Sequence, residues 1–165
     1  MDSSITIVPY QDEYAPGFAR LNRDWLDAHD LYEEADGRQL YSPKESLLNS
    51  GGVIYIALLG TEVVGCCALV RQSSTKYELT KLAVDRSVRG RGLGRRMTEH
   101  AIQEARDKGA SKISLLSSSR LSAAIQLYHS IGFVNKAIPG NQPYLTADVY
   151  MELDLSASNS MKPSV

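Results

Sequence analysis

The sequence predicts one α/β domain, a mixed sheet with helices on its faces. Three observations carry that prediction. Apolar residues alternate at period two over residues 5–9, 53–59, 62–70, 77–84 and 147–155, as they do in half-buried strands. They recur at three- and four-residue spacing over residues 18–26, 93–105 and 121–128, as they do in amphipathic helices. The two kinds of segment interleave, which is how helices come to lie on the faces of a sheet. A chain of 165 residues is the size of one domain and can bury a two-layer core without disulfides or metals.

Residues 5–9 end at Pro9, which suits a short first or edge strand. Phe18, Leu21, Trp25 and Leu26 place a first helix over 13–28, and the acids and tyrosines of residues 27–41 follow it as a loop. Ser42-Pro43 opens a short second helix through residue 48, with proline tolerated in the first turn, and Gly51-Gly52 ends it. Strands over 53–59 and 62–70 join through Leu59-Gly60-Thr61 as a tight hairpin, and a polar link leads to a third over 77–84. Leu93, Met97, Ala101, Ile102 and Ala105 give a long helix ending near Lys108-Gly109. A strand over 113–116 follows, then a shorter helix through Leu121, Ala124, Ile125 and Tyr128 that Gly132 closes. Phe133-Val134 begins a strand, and the loop 139–143 leads to the last strand, 147–155. Residues 156–165 are small and polar and read as a disordered tail, which leaves 1–155 as the domain.

Eighteen Lys and Arg against nineteen Asp and Glu give a net charge of -1, which argues against a general nucleic-acid or membrane-surface binder. The charge is unevenly spread. Within residues 81–96, Lys81, Arg86, Arg89, Arg91, Arg95 and Arg96 are opposed only by Asp85, whereas residues 11–36 are rich in acids. Cys66 and Cys67 are adjacent in a strand and would point to opposite faces, so they read as free thiols in a reducing compartment. The N-terminus has no charged n-region or apolar core, and no run approaches the ~20 apolar residues of a membrane span. A soluble, cytoplasmic protein is expected. His29, His100 and His129 are unclustered, so no metal is expected.

Residues 84–96, Val-Asp-Arg-Ser-Val-Arg-Gly-Arg-Gly-Leu-Gly-Arg-Arg, stand where a strand turns into a helix. The first turn of a helix offers N–H groups with no partner inside the helix, and the macrodipole adds about half a positive charge there. Gly90, Gly92 and Gly94 leave that backbone open to a diphosphate. A P-loop needs Lys-Ser/Thr after its last glycine, but Arg95-Arg96 follow Gly94; G-x-G-x-x-G fails because Arg95 stands three residues beyond Gly92. A nucleotide-phosphate binder is disfavoured on the same grounds.

What remains is Arg-x-x-Gly-x-Gly at Arg89, Gly92 and Gly94, which resembles the acyl-CoA pyrophosphate loop of the GNAT superfamily of N-acyltransferases. Two further segments agree with it. Residues 77–84, Tyr-Glu-Leu-Thr-Lys-Leu-Ala-Val, resemble the family's central strand, which runs beside the pantetheine. Residues 124–133 resemble its A-x-x-L-Y-x-x-x-G-F segment, and the three together with their flanks cover about residues 5–155. Leu21-Asn22-x-x-Trp25-Leu26 is similar to a group of small, mostly uncharacterised bacterial members. One departure is Leu121, where many members carry Asn; Ser118 or Ser119 would supply a polar group instead.

The resemblance implies a GNAT fold with a central, mostly antiparallel sheet, acetyl-CoA as the donor, and an N-acetyltransferase acting through a direct ternary complex. Leu82, Ala83 and Val84 would meet the pantetheine through their backbone, Arg89, Gly90, Arg91, Gly92, Leu93, Gly94 and Arg95 would hold the diphosphate, and Ser118 and Tyr128 would complete the cofactor site. Alternation puts Glu78 on one face with Thr80, Leu82 and Val84, in the register where several members place a general base, acting directly or through a water. Pairing with a neighbouring Arg or Lys is the plain alternative. Tyr128 matches the tyrosine that can protonate the departing thiolate; alone it would read as a core tyrosine. The family position of Trp25, His29, Tyr32, Glu33 and Asp36 implies one wall of the acceptor cleft, where carboxylates would attract a cationic amine. A solvated acidic helix face is the alternative. Tyr144 and Asp148 are further acceptor contacts by position. The expected partner is a small-molecule or peptide amine, and small members often form homodimers through their final strands. A non-catalytic acyl-CoA-binding or regulatory module is the second reading.

Overall fold

The computed structural model describes residues 4–140, 142 and 144–156. Its first half runs β1 (Ile5–Pro9), α1 (Ala15–Ala28), α2 (Glu34–Tyr41), β2 (Val53–Leu59), β3 (Glu62–Arg71) and β4 (Lys76–Val84). Its second half runs α3 (Leu93–Asp107), β5 (Lys112–Ser117), α4 (Ser122–Ile131), β6 (Val134–Lys136) and β7 (Val149–Asp154). The strands form one sheet in the order β1-β2-β3-β4-β5-β7-β6, and only β4 with β5 is parallel. The predicted mixed α/β class, mostly antiparallel, is the class observed.

The period-two pattern sorts the strands onto two cores. Tyr55, Ala57, Cys67, Leu69, Tyr77, Leu79, Ile113, Leu115 and Met151 pack on one face, with Leu93, Met97, Ala101 and Ala105 of α3 and Tyr128 of α4. Ile54, Ile56, Cys66 and Ala68 pack on the other, with Phe18 and Leu21 of α1 and Leu40 of α2. Gly65 lets α3 approach β3 closely, since a Cβ there would lie 3.0 Å from Met97 Sδ and 3.1 Å from Leu93 Cδ2. The two thiols are free and split between the cores: Cys66 faces α1, Cys67 faces α3.

Four expectations need correction. The loop expected over 27–41 contains α2. Its start is capped by Asp36, whose carboxylate accepts the Glu33 N–H at 2.9 Å, and Leu40 closes onto the core, so acids that read as solvated loop are a helix N-terminus. The helix expected over 42–48 is a single π-helical turn, Lys44–Leu48, in which the Asn49 N–H reaches back to the Lys44 carbonyl. The last strand begins at Val149, not at residue 147. Finally, the alternation of β4 is broken by a bulge at Lys81, described below. The expected tail disorder falls, from residue 157 onward, outside the described residues. No helix among the described residues is long and apolar enough to cross a membrane.

Candidate active site

β4 and β5 are paired only at Lys76 with Lys112, Tyr77 with Ile113 and Glu78 with Ser114. Beyond that point they part, and each strand leaves the sheet's hydrogen-bonding pattern on its facing edge. A cavity fills the gap and connects the two faces of the sheet. On the α3/α4 side it is lined by Leu82, Val84, Arg89, Gly94, Ser118, Leu121, Ala124 and Tyr128; on the α1/α2 side by Trp25, Leu26, Leu31, Asp36, Glu78 and Tyr144.

At one end stands the glycine-rich turn. Asp85 starts it by accepting the Ser87 N–H at 2.9 Å and the Ser87 hydroxyl at 2.8 Å, and Arg20 of α1 reaches the same carboxylate at 3.2 Å. Buried Val88 pins the turn to the core. Gly90 and Gly92 adopt φ of +83° and +77°, and a Cβ on either would meet nothing within 4 Å, so backbone conformation and not crowding demands glycine. Gly92 is the N-cap of α3, and the first i to i−4 bond is that of the Arg96 N–H to the Gly92 carbonyl. The N–H groups of Leu93, Gly94 and Arg95 precede it, at the positive end of a helix that opens on the cavity through Gly94. Arg89 lines the cavity and Arg91 is exposed beside it. The Arg95 side chain turns away, to the Ser130 hydroxyl and to Glu99, so this residue offers the cavity its backbone alone.

The bulge governs the middle of the site. Cys66 pairs with Ala83 and Ala68 with Thr80, so two β4 residues, Lys81 and Leu82, stand opposite Cys67. Lys81 takes φ of +60°, a left-handed conformation that costs a residue with a Cβ about 1–2 kcal/mol. The slip flips the strand's parity. Glu78 and Thr80 face α1 and α2, in register with Val70 and Ala68, whereas Leu82 and Val84 face α3. The single shared face expected for these four residues is therefore incorrect, and the correction puts Glu78 on the α1/α2 side and the Leu82 and Val84 side chains on the α3/α4 side.

Three groups hold Lys81 in place. Its ammonium meets Asp36 Oδ1 at 2.9 Å, with both side chains only 5% exposed, and lies 3.5 Å from the Tyr144 hydroxyl. Its carbonyl accepts the Cys66 thiol at 3.3 Å, and that sulfur in turn accepts from the Asn22 amide of α1 at 3.2 Å. Burial pushes the Cys66 thiol up to about 12, so it acts here as a hydrogen-bond donor and not as a thiolate. Neither Lys81 nor Asn22 was among the expected site residues. The signal for Asn22 was available: it shares the helical stripe of Phe18, Leu21, Trp25 and Leu26, where a polar residue must find a buried partner.

Glu78 has no ion-pair partner among the described residues; Gln72 Nε2 is 3.5 Å from it. Burial raises its carboxyl above the ordinary range against the opposing pull of Lys81 and Lys76. Tyr128 is buried, T-stacked on Phe133, and raised by burial and then by Cys67, so it stays protonated. Its hydroxyl makes no hydrogen bond to another described residue, which distinguishes it from a satisfied core tyrosine. Ser118 is buried on the same side and its hydroxyl accepts the Arg120 N–H at 3.2 Å.

The acceptor wall differs from expectation. Trp25, Asp36 and Tyr144 line the cavity, but His29, Tyr32 and Glu33 do not. His29 packs its ring on Trp25 at 4.6 Å, and Tyr32 lies under the Arg23 guanidinium at 3.7 Å. The Glu33 carboxylate clamps the segment that follows the last loop, accepting the Leu145 N–H at 2.9 Å, the Thr146 N–H at 2.8 Å and the Thr146 hydroxyl. Burial alone would raise this carboxyl; the hydrogen bonds from Thr146 and Leu145 outweigh it and hold it below the ordinary range. Asp148 is likewise outside the cavity, bound by the Ser119 N–H and hydroxyl at 2.7 Å each.

The sequence profile of the acetyltransferase (GNAT) family matches residues 10–133. The chain is 26% identical over 114 residues to rat N-acetyltransferase family 8 member 2, covering 66% of this chain and 50% of that protein. It thus spans about half the length of the curated relatives it matches. Among solved structures, a GNAT-family acetyltransferase from Staphylococcus aureus superposes with a TM-score of 0.82 at 21% identity, over 92% of this chain and 99% of that one. The PaiA N-acetyltransferase of Thermoplasma acidophilum, solved in complex with coenzyme A, gives 0.72 at 19% identity, over 91% and 98%.

Proposed function

Because the chain belongs to the acetyltransferase (GNAT) family, we propose that it transfers an acetyl group from acetyl-CoA to a primary amine by direct attack in a ternary complex. One observation carries this reading: a gap in the sheet joins Glu78, a half-buried carboxylate with no ion-pair partner among the described residues, on one face to Tyr128, a buried tyrosine whose hydroxyl bonds no other described residue, on the other, with a helix N-terminus at its end. The open ground before Gly90 and Gly92 and the leading N–H groups of α3 fit a diphosphate, and Arg89 and Arg91 supply positive charge beside it. Ser118 and the β4 edge over residues 82–84 suit the pantetheine arm. When bound, acetyl-CoA supplies an activated acyl group as a thioester.

The chain's own groups divide the remaining work. Glu78 takes a proton from the incoming amine, directly or through a water, and its raised carboxyl suits it to that task near neutral pH. N–H groups of the β4 edge stabilise the charge that grows on the carbonyl oxygen. Tyr128, kept protonated by burial, gives its proton to the departing sulfur. Neither cysteine supplies an activated nucleophile: Cys66 and Cys67 are buried with raised thiols.

Glu78→Gln tests the reading. Release of CoA with a panel of amines should fall by about 10²–10⁴-fold while calorimetric affinity for acetyl-CoA stays unchanged. The base must be ionised, so wild-type kcat/KM should fall as pH drops through the Glu78 carboxyl, with its acidic limb above the ordinary glutamate value of 4.5, and the variant should lose that limb. A raised carboxyl favours the folded state at acid pH and costs stability as pH rises through it, so the variant should also melt higher at neutral pH. Unchanged turnover would remove the base role.

A further inference from the structure

We propose that the amine acceptor carries an uncharged, apolar body, as an arylalkylamine does, and that the site selects against polycations. This deepens the acetyltransferase reading and rests on it. The acids of residues 11–36 pointed to a cationic acceptor, but the structure commits them elsewhere. Asp24 and Asp27 pair with Arg20 and Arg23 on the exposed face of α1, and Glu33 is consumed by the backbone and hydroxyl of the 145–146 segment. Asp12, Glu13, Asp30 and Glu34 are exposed and line no part of the cavity.

Asp36 alone of that group lines the cavity, and its charge is cancelled by Lys81 across 2.9 Å. The acceptor side thus presents one carboxylate without a fixed cation, Glu78, which the reaction itself uses. A second ammonium on the acceptor would be buried beside the Lys81 ammonium with no counterion, which both desolvation and like-charge repulsion oppose. Beside the uncharged polar groups of Thr80, Tyr144 and Thr146, the wall carries Trp25, Leu26 and Leu31, with the His29 ring tilted against Trp25 at 4.6 Å, and it offers a flat apolar body a contact surface next to Glu78.

Trp25 is the only tryptophan of the chain, so its fluorescence reports occupancy of this wall whether or not turnover occurs. Phenethylamine and spermidine, titrated separately into the CoA-saturated protein, should both be compared with CoA release from acetyl-CoA and the same amines. Phenethylamine should shift the emission saturably at a concentration about tenfold or more below spermidine, and its kcat/KM should exceed that of spermidine by a similar factor. Equal or tighter response to spermidine, or no saturable response to phenethylamine, overturns the proposal. A phenethylamine response of the expected order without CoA release from either amine supports the binding class and instead counts against the acetyltransferase reading.

Discussion

The two ends of the cavity are made of different material. The end proposed for the diphosphate is backbone: left-handed glycines, the leading N–H groups of α3 and a turn capped by Asp85, all within residues 84–96. The end proposed for the acceptor is a side-chain lattice whose partners lie far apart in the chain, Lys81 with Asp36 at a separation of 45 residues, Lys81 with Tyr144 at 63 and Glu33 with Thr146 at 113. On the proposed reading, backbone geometry encoded by a few local residues serves the diphosphate of the donor. Long-range side-chain pairs can be exchanged without disturbing that anchor, and this is where one fold acquires different substrates.

The contrast predicts which end breaks harder. Lys81→Met should be the most damaging change. It leaves the Asp36 carboxylate buried and unpaired, at a cost of about 3–5 kcal/mol, and frees α2 from the bulge. Adding Asp36→Leu should restore part of the melting temperature without restoring activity, because it removes the unpaired buried charge but also the cap on the Glu33 N–H, worth about 1 kcal/mol. At the other end, Gly92→Glu should leave the far-ultraviolet spectrum native but weaken acetyl-CoA binding by about 10²-fold, since it combines a left-handed strain of about 1–2 kcal/mol with a negative charge beside the diphosphate. Unchanged affinity in calorimetry would dissociate the turn from the donor.

Tyr128→Phe keeps the ring on Phe133 and should lower kcat by about 10²-fold, the low end for a general acid, with KM for acetyl-CoA little altered. The smallest effect belongs to Glu33. Its carboxyl is held below the ordinary range in the folded protein, so the stability it contributes is present above that range and is lost as pH falls through its lowered value. Hydrogen exchange of the Leu145 and Thr146 amides should therefore accelerate at acid pH and in Glu33→Gln, by about 1 kcal/mol of local opening, before the rest of the sheet responds.

The same division explains what could be read without coordinates. The sheet, its helices and the glycine-rich turn follow from period, glycine placement and capping, each a property of neighbouring residues. Tyr128 and Glu78 could be singled out because each sits in a short recognisable segment, and both line the cavity. The bulge was not, because a left-handed Lys81 has no local motive: it is held by Asp36, Tyr144 and Cys66, which lie outside its own strand. The fate of the acidic stretch was hidden for the same reason. Composition shows that Glu33 and Asp36 are acids; only tertiary contacts show that one is a clamp and the other half of an ion pair.

The parting of β4 and β5 after Glu78 and Ser114 also has a bearing on traffic through the molecule. On the proposed reading, donor and acceptor load from opposite sides of a partition and meet only in its slot. Neither blocks the other's door, so their order of arrival is free, and spent CoA can leave while the acetylated product still occupies the far chamber. Initial-rate patterns should then intersect for both substrates, and each product should compete only with the substrate that shares its side.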